Sequence, residues 1–196
     1  MKQLNIICRD DVQVKNNKLP CVAVDAGLLY AIEHDLDIVQ IIGDFDSLPN
    51  KEYLSYNDRL IKAEVEKDKS DLQLAIEYLS DFNGQINVYG ALGKRMDHSL
   101  VNLKICYYSD LDIHLIDENN EIFRLEPGRH TISNKEYKYI SFLSFDDCRI
   151  TLKNFKYPLT EYLLEKNDNL TLSNELTSAS GEVVNDSKLL VFLTND

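Results

Sequence analysis

Basic residues are in short supply in this chain. Its 196 residues carry 21 Lys and Arg against 33 Asp and Glu, a formal charge of −12. That balance argues against nucleic acid as the main partner, because phosphate backbones are held by clustered Lys and Arg. Cysteine is sparse as well. Cys8, Cys21, Cys106 and Cys148 are scattered, with no CxxC pair and no His at metal-ligand spacing, which speaks against a zinc site. Three of the four lie in apolar, strand-like runs and read as buried, reduced thiols. No apolar run approaches the length of a membrane span, and the one near Met1 is too short for a signal peptide. The expected location is the cytoplasm. Internal repeats and low-complexity linkers are absent too.

What is present is enough apolar material for a core. At 44% hydrophobic composition, the chain can bury one large domain or two small ones. Short apolar runs at 4–8, 21–25, 38–44, 60–65, 86–90 and 113–117 read as strands, several rich in Ile and Val as strands buried on both faces are. Between them Leu72, Ala75, Ile76 and Leu79 follow the i, i+3, i+4, i+7 spacing of an amphipathic helix, and Leu100, Leu103 and Tyr107 repeat it more weakly. Such alternation predicts a mostly parallel sheet in a Rossmann-like α/β domain over residues 1–125. Beyond it, strand-like runs at 137–145, 148–152, 170–173, 182–184 and 189–193 are punctuated by turn signals such as Pro127-Gly128 and Asn185-Asp186. They predict a small all-β sandwich over 126–196.

The residues with chemistry gather where the predicted parallel strands end, the edge at which open α/β sheets bind ligands. Asp25 and Gly27 follow the second strand, and Gly43-Asp44-Phe45-Asp46-Ser47 the third. Asp68-Lys69-Ser70-Asp71 opens a helix, and Gly90-Ala91-Leu92-Gly93-Lys94-Arg95-Met96-Asp97-His98 follows the fifth strand. Asp44 and Asp46 share a face of extended backbone, so both reach one cation; a turn with solvated acids explains them equally well. Asp68 reads either as the N-cap of the next helix with Asp71 at N3, or with Lys69 and Ser70 as a phosphate seat. Asp97 is likewise an N-cap or a ligand, and His98 reads first as structural. Arg95 offers a planar fork for phosphate oxygens. Carboxylates crowded with Lys and Arg suit Mg²⁺ and a polyphosphate together, and an acidic protein that binds a polyanion implies a divalent metal. The charge is also explained by solubility alone.

Taken in order, these segments resemble the thiamine pyrophosphokinase family. The likeness runs through Asp25-Ala26-Gly27, Asp37-Ile38, the Gly43–Ser47 and Asp68–Ala75 stretches, Gly90–His98, Asn102 and Leu115-Ile116-Asp117. Ile140-Ser141-Phe142 and Ser173-Asn174-Glu175 extend it into the second part. The resemblance implies transfer of the pyrophosphoryl group of ATP to thiamine, giving thiamine diphosphate and AMP, by a homodimer with active sites at its interface. It assigns Asp44, Asp46, Asp71 and Asp97 to Mg²⁺ and catalysis, with Asp68 contributing to the metal. Asp25, Gly27, Lys69, Ser70 and Arg95 line the nucleotide site under this mapping, and Ser173 and Asn174 sit near thiamine. Cys8-Arg9-Asp10 stands where the family often has glycine after the first strand, so no nucleotide contact is carried over there. Ala26, Leu36 and Ser70 depart from a usual glycine, proline and threonine. With no Trp in the chain, the indole that stacks on thiamine in some members is missing.

Two other readings remain open on the sequence. A related pyrophosphokinase acting on another hydroxyl acceptor, such as a hydroxymethylpterin, would keep the metal site and change the second domain's pocket. A sensor of nucleotide or thiamine would bind without turnover.

Overall fold

The structure is a computed structural model that describes residues 2–44, 58–62, 68–133 and 136–196. The chain forms two compact units, one of residues 2–105 and 109–117, the other of 106–108 and 118–196.

The first unit is built on six strands, β1 (Gln3–Ile7), β2 (Cys21–Val24), β3 (Ile38–Gly43), β4 (Leu60–Lys62), β5 (Gln85–Tyr89) and β6 (Asp112–Ile116). They lie in the order β4-β3-β2-β1-β5-β6, every described pair parallel. Continuous burial of β2 and near-continuous burial of β1 and β5 explains their mostly apolar composition. The one polar row is satisfied across the ladder: Asn87 Nδ2 donates to Asn5 Oδ1 at 3.2 Å, and Asn5 Nδ2 to Asn16 O at 2.9 Å. Strand order reverses at β1. The chain steps outward through β2, β3 and β4, then returns to place β5 on the other side of β1. This switch point leaves a crevice beyond the carboxyl ends of β1 and β5.

Three helices belong to this alternation. α1 (Gly27–Glu33) buries Leu28, Tyr30 and Ala31 against a cluster containing Ile7, Cys21, Ala23 and Ile41. α2 (Asp71–Tyr78) buries Leu72, Ala75 and Ile76, as its spacing predicts. α3 (Met96–Tyr108) departs from its pattern. Tyr107 is buried, but Leu100 is 51% exposed, along with Met96, Val101 and Tyr108.

In the second unit, β7 (Asn120–Leu125), β13 (Leu189–Thr194) and β9 (Tyr139–Leu143) form an antiparallel sheet in the order β7-β13-β9. β11 (Leu159–Leu164), β10 (Cys148–Lys153), β12 (Gly181–Asn185) and β8 (Gly128–Ile132) form another, in that order. Phe142 of β9, Val191 of β13, Ile150 of β10 and Val183 of β12 share one core, closed by Phe155, whose ring meets Phe142 edge-on at 5.6 Å. This is the expected β-sandwich. Residues 170–173 are not a strand, however. Ser173 takes a left-handed φ of +55, and the segment is tied to β9 irregularly, through Phe142 N donating to Thr171 O at 3.2 Å. All four cysteines are free, and Cys21, Cys106 and Cys148 are buried.

Candidate active site

The ends of β1, β2, β3 and β5 and the starts of α2 and α3 converge because small residues let them approach. A Cβ on Gly27 would lie 1.9 Å from Ile7 O, so α1 can begin against β1 only with glycine there. A Cβ on Gly43 would lie 2.0 Å from Asp25 Oδ1. The Asp25 carboxylate therefore rests on the end of β3, immediately before Asp44. Asp25 itself takes the left-handed φ of +46, its N–H donating to Ile42 O at 3.0 Å and its carbonyl accepting from Leu28 N at 3.1 Å. These backbone bonds offset the cost of that conformation and turn the chain from β2 into α1.

After β5 the chain crosses the crevice in a loop with Gly90, Gly93 and Lys94 at φ +82, +78 and +49. Side chains hold it at successive carbonyls. Asn102 Nδ2 donates to Ala91 O at 2.7 Å, Arg9 Nη1 to Leu92 O at 2.9 Å, and Ser99 Oγ to Gly93 O at 3.4 Å. Across the crevice, Ser70 is the N-cap of α2, its Oγ accepting from Gln73 N at 3.3 Å. The cap is thus Ser70 rather than Asp68, and Asp71 sits in the first turn, not at N3. Asp97 also lies inside its helix, where Arg95 occupies the cap position.

Between these elements lies a cavity of about 400 Å³. Its wall includes Cys8, Arg9, Asp25, Lys69, Ser70, Asp71, Gly90, Gly93, Lys94, Arg95, His98 and Asn102. Asp97 lines an adjoining hollow of about 200 Å³ with Ser70, His98, Val101 and Asn102. Of the residues singled out in the sequence, Asp25, Lys69, Ser70, Asp71 and Arg95 thus share one cavity, with Asp97 beside it. Asp44 is half-buried next to Gly43, and Asp68 is exposed just before Lys69. Asp46 falls outside the described residues. Ser173 and Asn174 belong to the second unit. There the Asn174 side chain donates to Tyr157 O at 2.8 Å and accepts from Tyr157 N at 3.0 Å and Glu175 N at 2.9 Å, which ties two turns together.

The electrostatics are those of a mixed-sign site. Burial, then the negative charges of Asp25 and Asp71, push the Cys8 thiol up to about 12, so it stays protonated at neutral pH and is no nucleophile. Arg95 Nη2 and Nε meet the Asp97 carboxylate at 2.5 and 3.2 Å. Those bonds hold Asp97 at about 2, ionised throughout the physiological range. Lys69 pairs with Glu77 at 2.9 Å and Lys94 with Asp11 at 2.5 Å, both at half-exposed positions from which they can turn to a ligand. Among the described residues, no three Asp, Glu, His or Cys side chains are close enough to cage a metal ion unaided. Mg²⁺ does not need such a cage: one or two carboxylates with substrate phosphates and water suffice, and the donors on this wall are carboxylate oxygens. The residues present fit such an ion.

Sequence reasoning missed Arg9 as a wall residue because the stretch after β1 departs from the glycine pattern. The signal available was its position at the end of the first strand, where the sheet order reverses.

Comparison with known proteins is consistent along nearly the whole chain. The family model for the thiamin pyrophosphokinase catalytic domain matches residues 12–116. The model for the thiamin pyrophosphokinase vitamin B1 binding domain matches 129–190. A thiamine pyrophosphokinase of Bacillus subtilis (strain 168) is 34% identical over 174 residues, covering 82% of this chain and 79% of that protein. Among solved structures, a thiamine pyrophosphokinase from Bacillus subtilis superposes with a TM-score of 0.87 at 28% identity, over 100% of both chains. A thiamin pyrophosphokinase family protein from Enterococcus faecalis gives 0.88 at 27% identity, again over 100% of both.

Proposed function

Since the chain belongs to the thiamin pyrophosphokinase family, it moves a pyrophosphoryl group from ATP to thiamine, and we propose that the cavity beyond β1 and β5 is where the transfer occurs. The observation that carries this reading is the meeting of Asp25, Asp71, Lys69, Ser70 and Arg95 on one wall at the switch point of the sheet. The hydroxyethyl oxygen of thiamine attacks the β-phosphorus of ATP. The bond from that phosphorus to the oxygen bridging toward the α-phosphorus breaks, AMP leaves with that oxygen, and the hydroxyl proton is released.

Each group on the wall has a task in that step. The Gly90–Lys94 loop, fixed by Asn102 and Ser99, brings backbone close to the phosphates, and the α2 N-terminus with Ser70 offers them N–H groups. Lys69 and Arg95 exchange their carboxylate partners for phosphate oxygens and stabilise charge that builds there during transfer. Asp71 on the wall, with Asp44, Asp68 and Asp97, would hold Mg²⁺, and the family resemblance assigns Asp46 to the same ion. That ion, when bound, would supply positive charge that offsets the negative charge of the phosphates. Direct transfer requires no Ser or Cys nucleophile, and the protonated Cys8 thiol is unsuited to be one.

We also assign the thiamine acceptor to the second unit, near Ser173 and Asn174, and a cytoplasmic location and a homodimer to the protein. No helix among the described residues is long and apolar enough to cross a membrane. The apolar side chains of Met96, Leu100, Val101 and Tyr108, exposed along α3, support a second copy as the covering partner. Light scattering is expected to give a mass near twice 22.6 kDa; a single-chain mass at micromolar concentration would remove the dimer. The two family matches do not favour a pterin acceptor or a silent sensor.

The test is AMP release from ATP and Mg²⁺ with thiamine, with a hydroxymethylpterin and with neither, the product identified by mass. Thiamine-dependent AMP in equal amount to thiamine diphosphate is expected, abolished by EDTA and restored by Mg²⁺. AMP only with the pterin would reassign the acceptor, and binding without AMP would make the chain a sensor.

A further inference from the structure

Arg9 stands at the end of β1, on the cavity wall and at the strand where the sheet order reverses. Its side chain is 27% exposed and held at several points. The stem lies on Gly90, where an added Cβ would come within 3.1 Å of Arg9 Cβ. Nε–H donates to Asp11 Oδ1 at 2.9 Å and Nη1–H to Leu92 O at 2.9 Å. A guanidinium has five N–H groups. Two are used here, and the other three have no partner among the described residues.

The charge count around it is also open. Asp11 is shared by two cations, Arg9 at 2.9 Å and Lys94 at 2.5 Å. Arg9 therefore has no carboxylate to itself, since the one it meets is also held by Lys94. The other basic residues of the wall differ: Lys69 and Arg95 each have a carboxylate of their own. A planar fork held at two points, with spare donors and opening on a cavity at a switch point, is the arrangement that binds phosphate oxygens in pairs.

We propose that Arg9 is a further substrate-binding residue, one that takes the polyphosphate of the nucleoside triphosphate through its unpartnered guanidinium N–H groups, with Leu92 O and Asp11 fixing the fork in place. The proposal rests on the reading of the cavity as the nucleotide site. It gives this chain a side-chain contact at a place where backbone next to glycine would otherwise face the ligand.

The experiment compares the wild-type protein with R9Q and R9K by calorimetric titration, using Mg²⁺ with α,β-methylene-ATP, inorganic tripolyphosphate and AMP as separate probes. R9Q is expected to weaken α,β-methylene-ATP and tripolyphosphate by about tenfold to a hundredfold, the range for a lost hydrogen-bonded charge contact. AMP binding should stay within about twofold of wild type. R9K keeps the charge but not the fork and should fall between them, which also covers the case in which R9Q folds poorly. Wild-type affinity of R9Q for tripolyphosphate would overturn the proposal. So would an equal loss for AMP and tripolyphosphate in both variants, since that is what a purely structural brace on Leu92 O would produce. AMP release by the wild-type protein is measured in parallel. Thiamine-dependent release with unchanged R9Q binding defeats only the Arg9 assignment, whereas selective loss of tripolyphosphate binding without turnover defeats only the enzymatic reading.

Discussion

At the scale of single residues, the cavity is organised by contacts that leave no slack. The Asp25 carboxylate occupies the space that a Cβ on Gly43 would take, and Gly27 lets α1 begin within contact of the β1 carbonyl. Cys8 shares the cavity wall with Asp25 and Asp71. Burial raises its thiol most, and Asp25 and Asp71 add to the shift, to about 12. For an acid the sign is direct: raising the pKa keeps the neutral SH form to higher pH. The alkylation rate of Cys8 in the folded protein is therefore expected to keep rising about tenfold per pH unit through pH 10, whereas an ordinary thiol levels off near its pKa of about 8.5. Peptide mapping after iodoacetamide treatment reads this out, and a plateau below pH 9 would show that the thiol is not held neutral. Asp97 runs the other way. Its carboxyl is held at about 2 by Arg95, so the pair persists at all ordinary pH and is lost only as pH falls through that value. Both side chains are largely exposed, so the pairing contributes little stability.

Elements were legible in the sequence to the degree that burial dictated their composition. Strands β1, β2, β3, β5 and β6 are recognisable to within about a residue, because a parallel strand covered on both faces must be apolar throughout. β8 and β11 gave no comparable signal: they are the edge strands of their sheet, and Gly128–Ile132 and Leu159–Leu164 are mostly exposed or half-exposed. α1 is seven residues long, too short for helical periodicity to emerge. The weak pattern after Asp97 misled because α3 leaves Leu100 and Val101 exposed, so its apolar residues do not mark the buried face. Capping shows the same limit. Asp68 and Ser70 are both good N-caps by type, and only the backbone reveals that Ser70 takes the role. Ser70→Ala is expected to destabilise the protein by about 1 kcal/mol, the usual cost of losing such a cap, as read from urea midpoints. It should also raise KM for ATP, because the same hydroxyl lines the cavity. A variant with wild-type stability would remove the cap from this account.

For the whole molecule, charge and topology lead to the same requirement. A chain of net charge −12 binds a polyanion only where positive charge is concentrated locally, and Arg9, Lys69, Lys94 and Arg95 all stand on one cavity. The sequence order of the acids identified that place because each follows the carboxyl end of a strand in one parallel sheet, and the sheet brings those ends together. Arg9 was not legible in the same way, since its importance comes from the reversal of strand order at β1, a property of the assembled sheet. Ser173 and Asn174 share a short segment with different roles. Asn174 is spent on backbone groups around Tyr157, and Ser173 stands exposed at a left-handed turn.

The central claim is that pyrophosphoryl transfer takes place in the cavity of the first unit. Its most direct test is the turnover of Asp71→Asn beside its thermal unfolding curve. The substitution keeps the shape of the wall and removes one negative charge. We predict a fall in kcat of about 100-fold or more, the scale of losing a group that acts on the charge of the transition state, with a melting temperature within about 3 °C of wild type. A kcat within a fewfold of wild type in a well-folded variant would contradict the account and move the chemistry elsewhere in the chain.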